Sequence, residues 1–337
     1  MTSSNDAPIA VLGAGSWGTA LALLLARNGR HVRLWGRDPA IMQDAAQQRR
    51  HPRYLSDIIF PENLESTSDI DYAVSAARDI LVAVPSGAFR STLQMIKSLL
   101  RDDARVLWAT KGLEQGSYHL LHQVVADVLG TAISTAVISG PSFASEVARG
   151  LPTAVTVASL DAKFAKDIAR TFHSGTFRAY TSDDVVGVEI GGALKNVLAI
   201  AAGISDGLGF GANARCALIT RGLAEMVRLG VALGGRRETL MGLSGLGDLI
   251  LTCTDNQSRN RRLGLALGEG KTLEQALQSI DQVVEGVQTA HEVYALARSH
   301  GVDMPIVDQV YAVLYANLAP RDAVSLLLER APKAEIF

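Results

Sequence analysis

The sequence predicts an α/β protein in which a doubly wound sheet is followed by an all-α domain. Three observations predict it. A glycine turn, Gly13-Ala14-Gly15-Ser16-Trp17-Gly18, lies between an apolar run and a helical stretch. Short apolar runs then alternate with helical segments, as a parallel sheet covered on both faces requires. Near Ser182 the texture changes to long Ala-, Leu- and Gly-rich helical stretches without clear strand runs. At 337 residues the chain exceeds one ordinary core. The texture change divides it into a sheet domain, residues 1–182, and a helical domain, residues 183–337.

The elements follow in order. Ile9-Ala10-Val11-Leu12 reads as a buried first strand. Residues 19–28 read as a helix closing at Gly29, where a left-handed cap suits a residue without Cβ. Residues 31–35 form the second strand, and Asp38-Pro39 opens a helix, with Asp as N-cap and Pro pre-set at the first helical position. Further strands are expected at residues 80–84, 105–109, 136–139, 153–158 and 177–180. Several end in turn-forming residues: Pro85-Ser86, Thr110-Lys111-Gly112 and Gly140-Pro141-Ser142. Ligand crevices of open α/β sheets lie at such carboxyl ends. Residues 185–204 and 212–229 read as long helices.

The 32 basic and 34 acidic residues give a net charge of -2, without the excess of a nucleic-acid or membrane-surface binder. Cys216 and Cys253 show neither CxxC nor a histidine at metal spacing. Reduced core thiols are expected, and no metal. The N-terminus lacks a signal-peptide pattern and no uncharged apolar run spans a bilayer, so a cytoplasmic protein without membrane insertion is the expectation.

The glycine turn, flanked by strand and helix, lets backbone N–H groups and the helix dipole meet a dinucleotide pyrophosphate. An acidic residue closing the second strand would accept from a ribose 2′-OH, but the chain reads Leu34-Trp35-Gly36-Arg37. Arg37 suits a 2′-phosphate, favouring NADPH with NADH still admissible, and Trp35 or Arg37 is a candidate to stack on adenine. The alternative is an exposed loop arginine. Lys111 should point into the crevice, although a lone turn lysine is also ordinary surface. Lys195 sits in the apolar helical run Gly191-Gly192-Ala193-Leu194-Lys195-Asn196, where desolvation would move its proton affinity towards that of an acid–base catalyst. A snorkelling lysine, or one paired with Glu189, is the alternative. Asp248 and Thr252, four apart, share a face if Asp248 opens a helix. Ser258, Arg259 and Asn260 form a phosphate cradle at a helix start, or else Arg259, Arg261 and Arg262 form a solvated basic face.

Together these blocks resemble the bacterial NAD(P)-dependent glycerol-3-phosphate dehydrogenases over nearly the whole chain. The resemblance rests on residues 13–18, Trp108-Ala109-Thr110-Lys111-Gly112-Leu113-Glu114, Ile138-Ser139-Gly140-Pro141-Ser142-Phe143-Ala144 and residues 191–196. It continues through residues 209–215, Gly245-Leu246-Gly247-Asp248, Asn256-Gln257-Ser258-Arg259-Asn260 and Val283-Val284-Glu285-Gly286. It implies a Rossmann-type dinucleotide-binding domain and a helical substrate-binding and catalytic domain. It also implies reversible reduction of dihydroxyacetone phosphate to sn-glycerol 3-phosphate for phospholipid synthesis, and a homodimer.

On the resemblance, Lys195 is proton donor and acceptor, with Lys111, Asp248 and Thr252 as its catalytic company. Gly13, Gly15, Ser16, Trp17, Gly18, Arg37, Lys111, Ala144, Arg259, Val283 and Glu285 line the cofactor. Gly140, Ser142, Lys111, Lys195, Asp248, Ser258, Arg259 and Asn260 hold the substrate. Two other readings stand beside it: a dehydrogenase of another small hydroxy acid on the same framework, and a non-catalytic dinucleotide-binding redox sensor.

Overall fold

The computed structural model describes residues 7–280 and 282–331. The chain forms two compact units. One runs to Lys111, resumes at Leu121 and ends at Val185; the other takes Gly112–Leu120 and the described residues from Val186 onward. A division at residue 182 does not include that inserted strap.

The first unit holds one eight-stranded sheet: β1 (Ile9–Leu12), β2 (Val32–Trp35), β3 (Leu64–Thr67), β4 (Asp79–Val82), β5 (Arg105–Trp108), β6 (Ser134–Ser139), β7 (Thr153–Ala158) and β8 (Phe177–Ser182). Their order is β3-β2-β1-β4-β5-β6-β7-β8. Every pairing is parallel except β6 with β7. Val11 pairs with Leu34 on one side and Leu81 on the other, so the strand order reverses at β1. That reversal opens the crevice at the strand ends where ligands of such sheets bind.

Strand β3 is not among the strands expected from the sequence. Only Leu64 in it is buried, because an edge strand shows one flank to water and offers no apolar run. The first helix begins at Ser16, three residues before the expected start, directly on the glycine turn, and Gly29 beyond it has φ +81°. Asp38 caps its helix as expected, accepting from the N–H groups of Ala40 and Ile41.

The second unit is helical among the described residues. Its central helix, Val185–Gly207, is long and apolar enough to cross a membrane, yet it is almost entirely buried as the core of this unit. Helix Arg259–Gly268 lies directly on it through a reciprocal set of glycines. A Cβ at Gly264 would fall 2.0 Å from Ile200 O, and one at Gly203 2.1 Å from Arg261 O. Backbones therefore touch where side chains normally intervene. Close to Lys195 in sequence, a Cβ at Gly191 would meet Ser244 O at 2.3 Å, which brings the π-helical turn Leu243–Gly247 onto the same helix. Such turns are rare and recur at functional positions.

Candidate active site

In the first unit the groups gather at the ends of β1, β5 and β6. Gly13 has φ +117°, and its missing Cβ would lie 2.6 Å from Ala83 O, so the turn hugs the end of β4. Gly18 allows the matching approach: its Cβ would fall 1.9 Å from Gly13 O. Gly15 is the N-cap of helix Ser16–Arg27, has no side-chain cap, and faces open space. The uncapped N–H groups at this helix start fit a pyrophosphate, which the dipole also favours. Ser16 and Trp17 are half-buried beside the turn, and Trp17 Nε1 is buried without a partner among the described residues.

Arg37 is exposed just beyond β2. Trp35, the other candidate for stacking on adenine, is buried and donates from Nε1 to Ser68 O at 3.0 Å. Its place in the strand points it into the fold, which removes it from that role. Lys111 Nζ lies 3.4 Å from Gly140 O, to which Ser142 Oγ also donates at 2.9 Å. Gly140 has φ +150°, and a Cβ there would press on Val155 Cα at 2.9 Å. Ala144 opens the short helix Ala144–Ala148 that follows.

In the second unit the central helix presents Lys195 from among buried residues, with the side chain only 11% exposed. Its ammonium pairs with the carboxylate of Asp248, which is wholly buried. The ion pair described for Lys195 is with Asp248; Glu189, six residues upstream on the same helix, is buried as well. Asp248 opens helix Asp248–Thr254, and Thr252 Oγ1, one turn on, donates to Asp248 O at 2.6 Å. The two share a face, as their spacing predicted. Cys253, next to Thr252, is buried, which pushes its thiol up to about 12, an inert core group. Cys216, expected in the core, is exposed.

Ser258 caps helix Arg259–Gly268, its Oγ accepting from Arg261 N at 3.2 Å. Arg259 is half-buried and donates to Val283 O at 2.8 Å; Val283 itself is exposed. Asn260 is buried, accepts from Gly286 N at 2.9 Å, and donates to Asn196 Oδ1 at 2.9 Å. One amide thus links the start of helix Glu285–Ser299, where half-buried Glu285 sits, to the residue beside Lys195. A solvated basic face does not describe this stretch, because Arg261 is buried and ion-paired to Asp206.

Asn196 is a further polar group of the site, beyond those expected from the sequence. Its Nδ2 is buried without a partner among the described residues, a donor held ready beside Lys195. The available signal was a second polar residue in an apolar helical run, next to one already singled out.

A family model described as the N-terminus of NAD-dependent glycerol-3-phosphate dehydrogenase matches residues 8–165. The model described as the C-terminus of the same enzyme matches residues 184–325. A glycerol-3-phosphate dehydrogenase (NAD(P)+) from Thioalkalivibrio sulfidiphilus is 62% identical over 332 residues, 98% of this chain and 99% of that one. One from Yersinia pestis is 55% identical, covering 99% and 98%. The crystal structure of glycerol-3-phosphate dehydrogenase from Coxiella burnetii superposes with a TM-score of 0.94 at 52% identity, covering 96% of this chain and 99% of that one.

Proposed function

Because the chain belongs to the NAD-dependent glycerol-3-phosphate dehydrogenase family, we propose that it reversibly reduces dihydroxyacetone phosphate to sn-glycerol 3-phosphate for glycerophospholipid synthesis. The observation that carries this reading is the buried Lys195–Asp248 ion pair, joined through Asn196 and Asn260 to a helix that opens on Ser258 and Arg259. An acid–base group and an anion cradle are what a phosphorylated ketone requires.

A reduced nicotinamide, when bound over the glycine turn, would supply the hydride. Lys195 Nζ gives a proton to the carbonyl oxygen as the alcohol forms and takes it back in the reverse direction. Asp248 keeps that ammonium oriented and charged, and Thr252, which donates to the Asp248 carbonyl, fixes the turn bearing it. Lys111 is assigned to polarising the carbonyl oxygen, with Gly140 and Ser142 on the substrate side. Ser258, Arg259 and Asn260 are assigned to the phosphate. The uncapped helix start at Gly15 and the turn Gly13, Gly15, Ser16, Trp17 and Gly18 suit the pyrophosphate. Ala144, Arg259, Val283 and Glu285 complete the cofactor set.

NADPH is the preferred cofactor in this reading, with NADH accepted, and support comes from Arg37, exposed beyond β2 where a 2′-phosphate lies in dinucleotide folds. The proposal includes the functional division at residue 182 and the cytoplasmic location, both expected from the sequence pattern, and the homodimer that the resemblance implies. Lys195→Ala tests its centre: general acid–base groups contribute about 100- to 10,000-fold, so kcat should fall by that order with KM for NADPH unchanged. A variant with wild-type kcat would overturn the assignment.

A further inference from the structure

Arg261 differs from the arginines around it. It is 7% exposed, and each of its three guanidinium nitrogens donates to the protein. Nε reaches Cys253 O at 3.0 Å, Nη2 reaches Asp206 Oδ2 at 2.5 Å, and Nη1 bonds Asn256 Oδ1. Arg215 Nη1 approaches both oxygens of Asp206 at 3.0 and 2.9 Å, so the carboxylate is shared by two cations.

These partners sit on different parts of the candidate site. Cys253 follows Thr252 in the helix that Asp248 opens. Asn256 lies in the loop joining that helix to Ser258. Asp206 is on the same helix as Lys195, about three turns on. The backbone is fixed as well, because Arg261 O occupies the space left by the absent Cβ of Gly203.

We infer that Arg261 is a positioning residue for the proposed reaction. Its guanidinium clasps the Lys195 helix, the Asp248–Thr254 helix and the following loop at fixed spacing from the Ser258-Arg259-Asn260 cradle. A ketone held by its phosphate then presents its carbonyl oxygen at the lysine. The planar fork explains the residue type: three separate acceptors are met in one plane, which a single ammonium cannot do. Because the spacing is set from behind the site, Arg261 needs no contact with the substrate.

This inference rests on the activity proposed above, and two readouts separate the two. Arg261→Lys, Arg259→Ala, their double variant, and Asn256→Ala at an exposed loop position are compared with wild type, at a temperature where circular dichroism shows each folded. Steady-state rates with dihydroxyacetone phosphate and calorimetric binding of sn-glycerol 3-phosphate are measured together. Arg261→Lys should lower kcat/KM tenfold or more and weaken binding, leaving KM for NADPH unchanged. Asn256→Ala should move both values the same way by about threefold. The double variant should lose less than the product of the single losses, since both residues act through one cradle. Wild-type kinetics and binding in Arg261→Lys and Asn256→Ala, with only the melting temperature lowered, would overturn the clasp, as would losses that multiply. Wild-type protein that binds sn-glycerol 3-phosphate without turnover would count against the activity reading, while weaker binding in Arg261→Lys would still support the clasp.

Discussion

Arg37 and Lys195 are both basic residues that the sequence marks, yet their surroundings give them opposite characters. Arg37 is exposed at the end of a strand, free to meet a ligand charge that water otherwise screens. Replacing it by Asp should raise KM for NADPH tenfold or more and leave KM for NADH near its wild-type value, as steady-state rates with each nucleotide would show. An equal rise for both would remove Arg37 from the 2′-phosphate. Lys195 was legible because a charge inside an apolar helical run demands a reason, and its spacing on the chain is local. Its partner was not legible in that way. Asp248 lies 53 residues downstream on a separate helix, so only the packing of helices brings it to Lys195. Asn196 escaped for a related reason: an amide in a helix is ordinary until its donor is seen to be buried and unmet.

At the scale of elements, the glycines that let helix Arg259–Gly268 rest on helix Val185–Gly207 have no signature in a single chain's hydrophobic pattern. Their meaning comes from backbone atoms about 2 Å from where a Cβ would be. Gly264→Ala should therefore destabilise the protein by about 3 kcal/mol, since overpacking against backbone cannot relax as a side chain does. Urea unfolding would measure it; an unchanged midpoint would mean that the helices separate without cost. The strands with apolar runs on both sides of the chain's first glycine turn were readable, because burial on two faces leaves continuous hydrophobic stretches. Edge strand β3 was not, because its half-exposed residues Glu65, Ser66 and Thr67 read like a loop. Nor was the assignment of Gly112–Leu120 to the helical unit legible. Leu113 and Leu120 are buried in that unit's core, but two leucines in a turn-rich stretch announce no such docking.

At the scale of the whole molecule, two buried carboxyls of the helical unit link stability to pH. Burial raises Glu225 to about 7, although it accepts from the N–H groups of Ile306 and Val307 at 2.7 and 3.2 Å. Burial likewise raises Glu292 to about 7. Both values lie above the 4.5 of an unperturbed glutamate. Between about pH 4.5 and 7 the folded chain thus retains protons that the unfolded chain has released, and these two groups make stability fall as pH rises through that window. Their contribution to the slope vanishes above it. Glu225→Gln should flatten the decline in melting temperature from pH 5 to pH 8, and an unaltered decline would show that Glu225 ionises normally. Selection of a phosphorylated ketone by the helical unit is measured by kcat/KM for dihydroxyacetone phosphate against dihydroxyacetone, in wild type and Arg259→Ala, with NADPH. Wild type should strongly prefer the phosphate ester, and at saturating NADPH Arg259→Ala should lose about 2 kcal/mol of that preference, roughly 30-fold. Equal use of the two ketones by wild type, or no turnover of the phosphate ester with NADPH or NADH, would show that the helical unit does not select the phosphate.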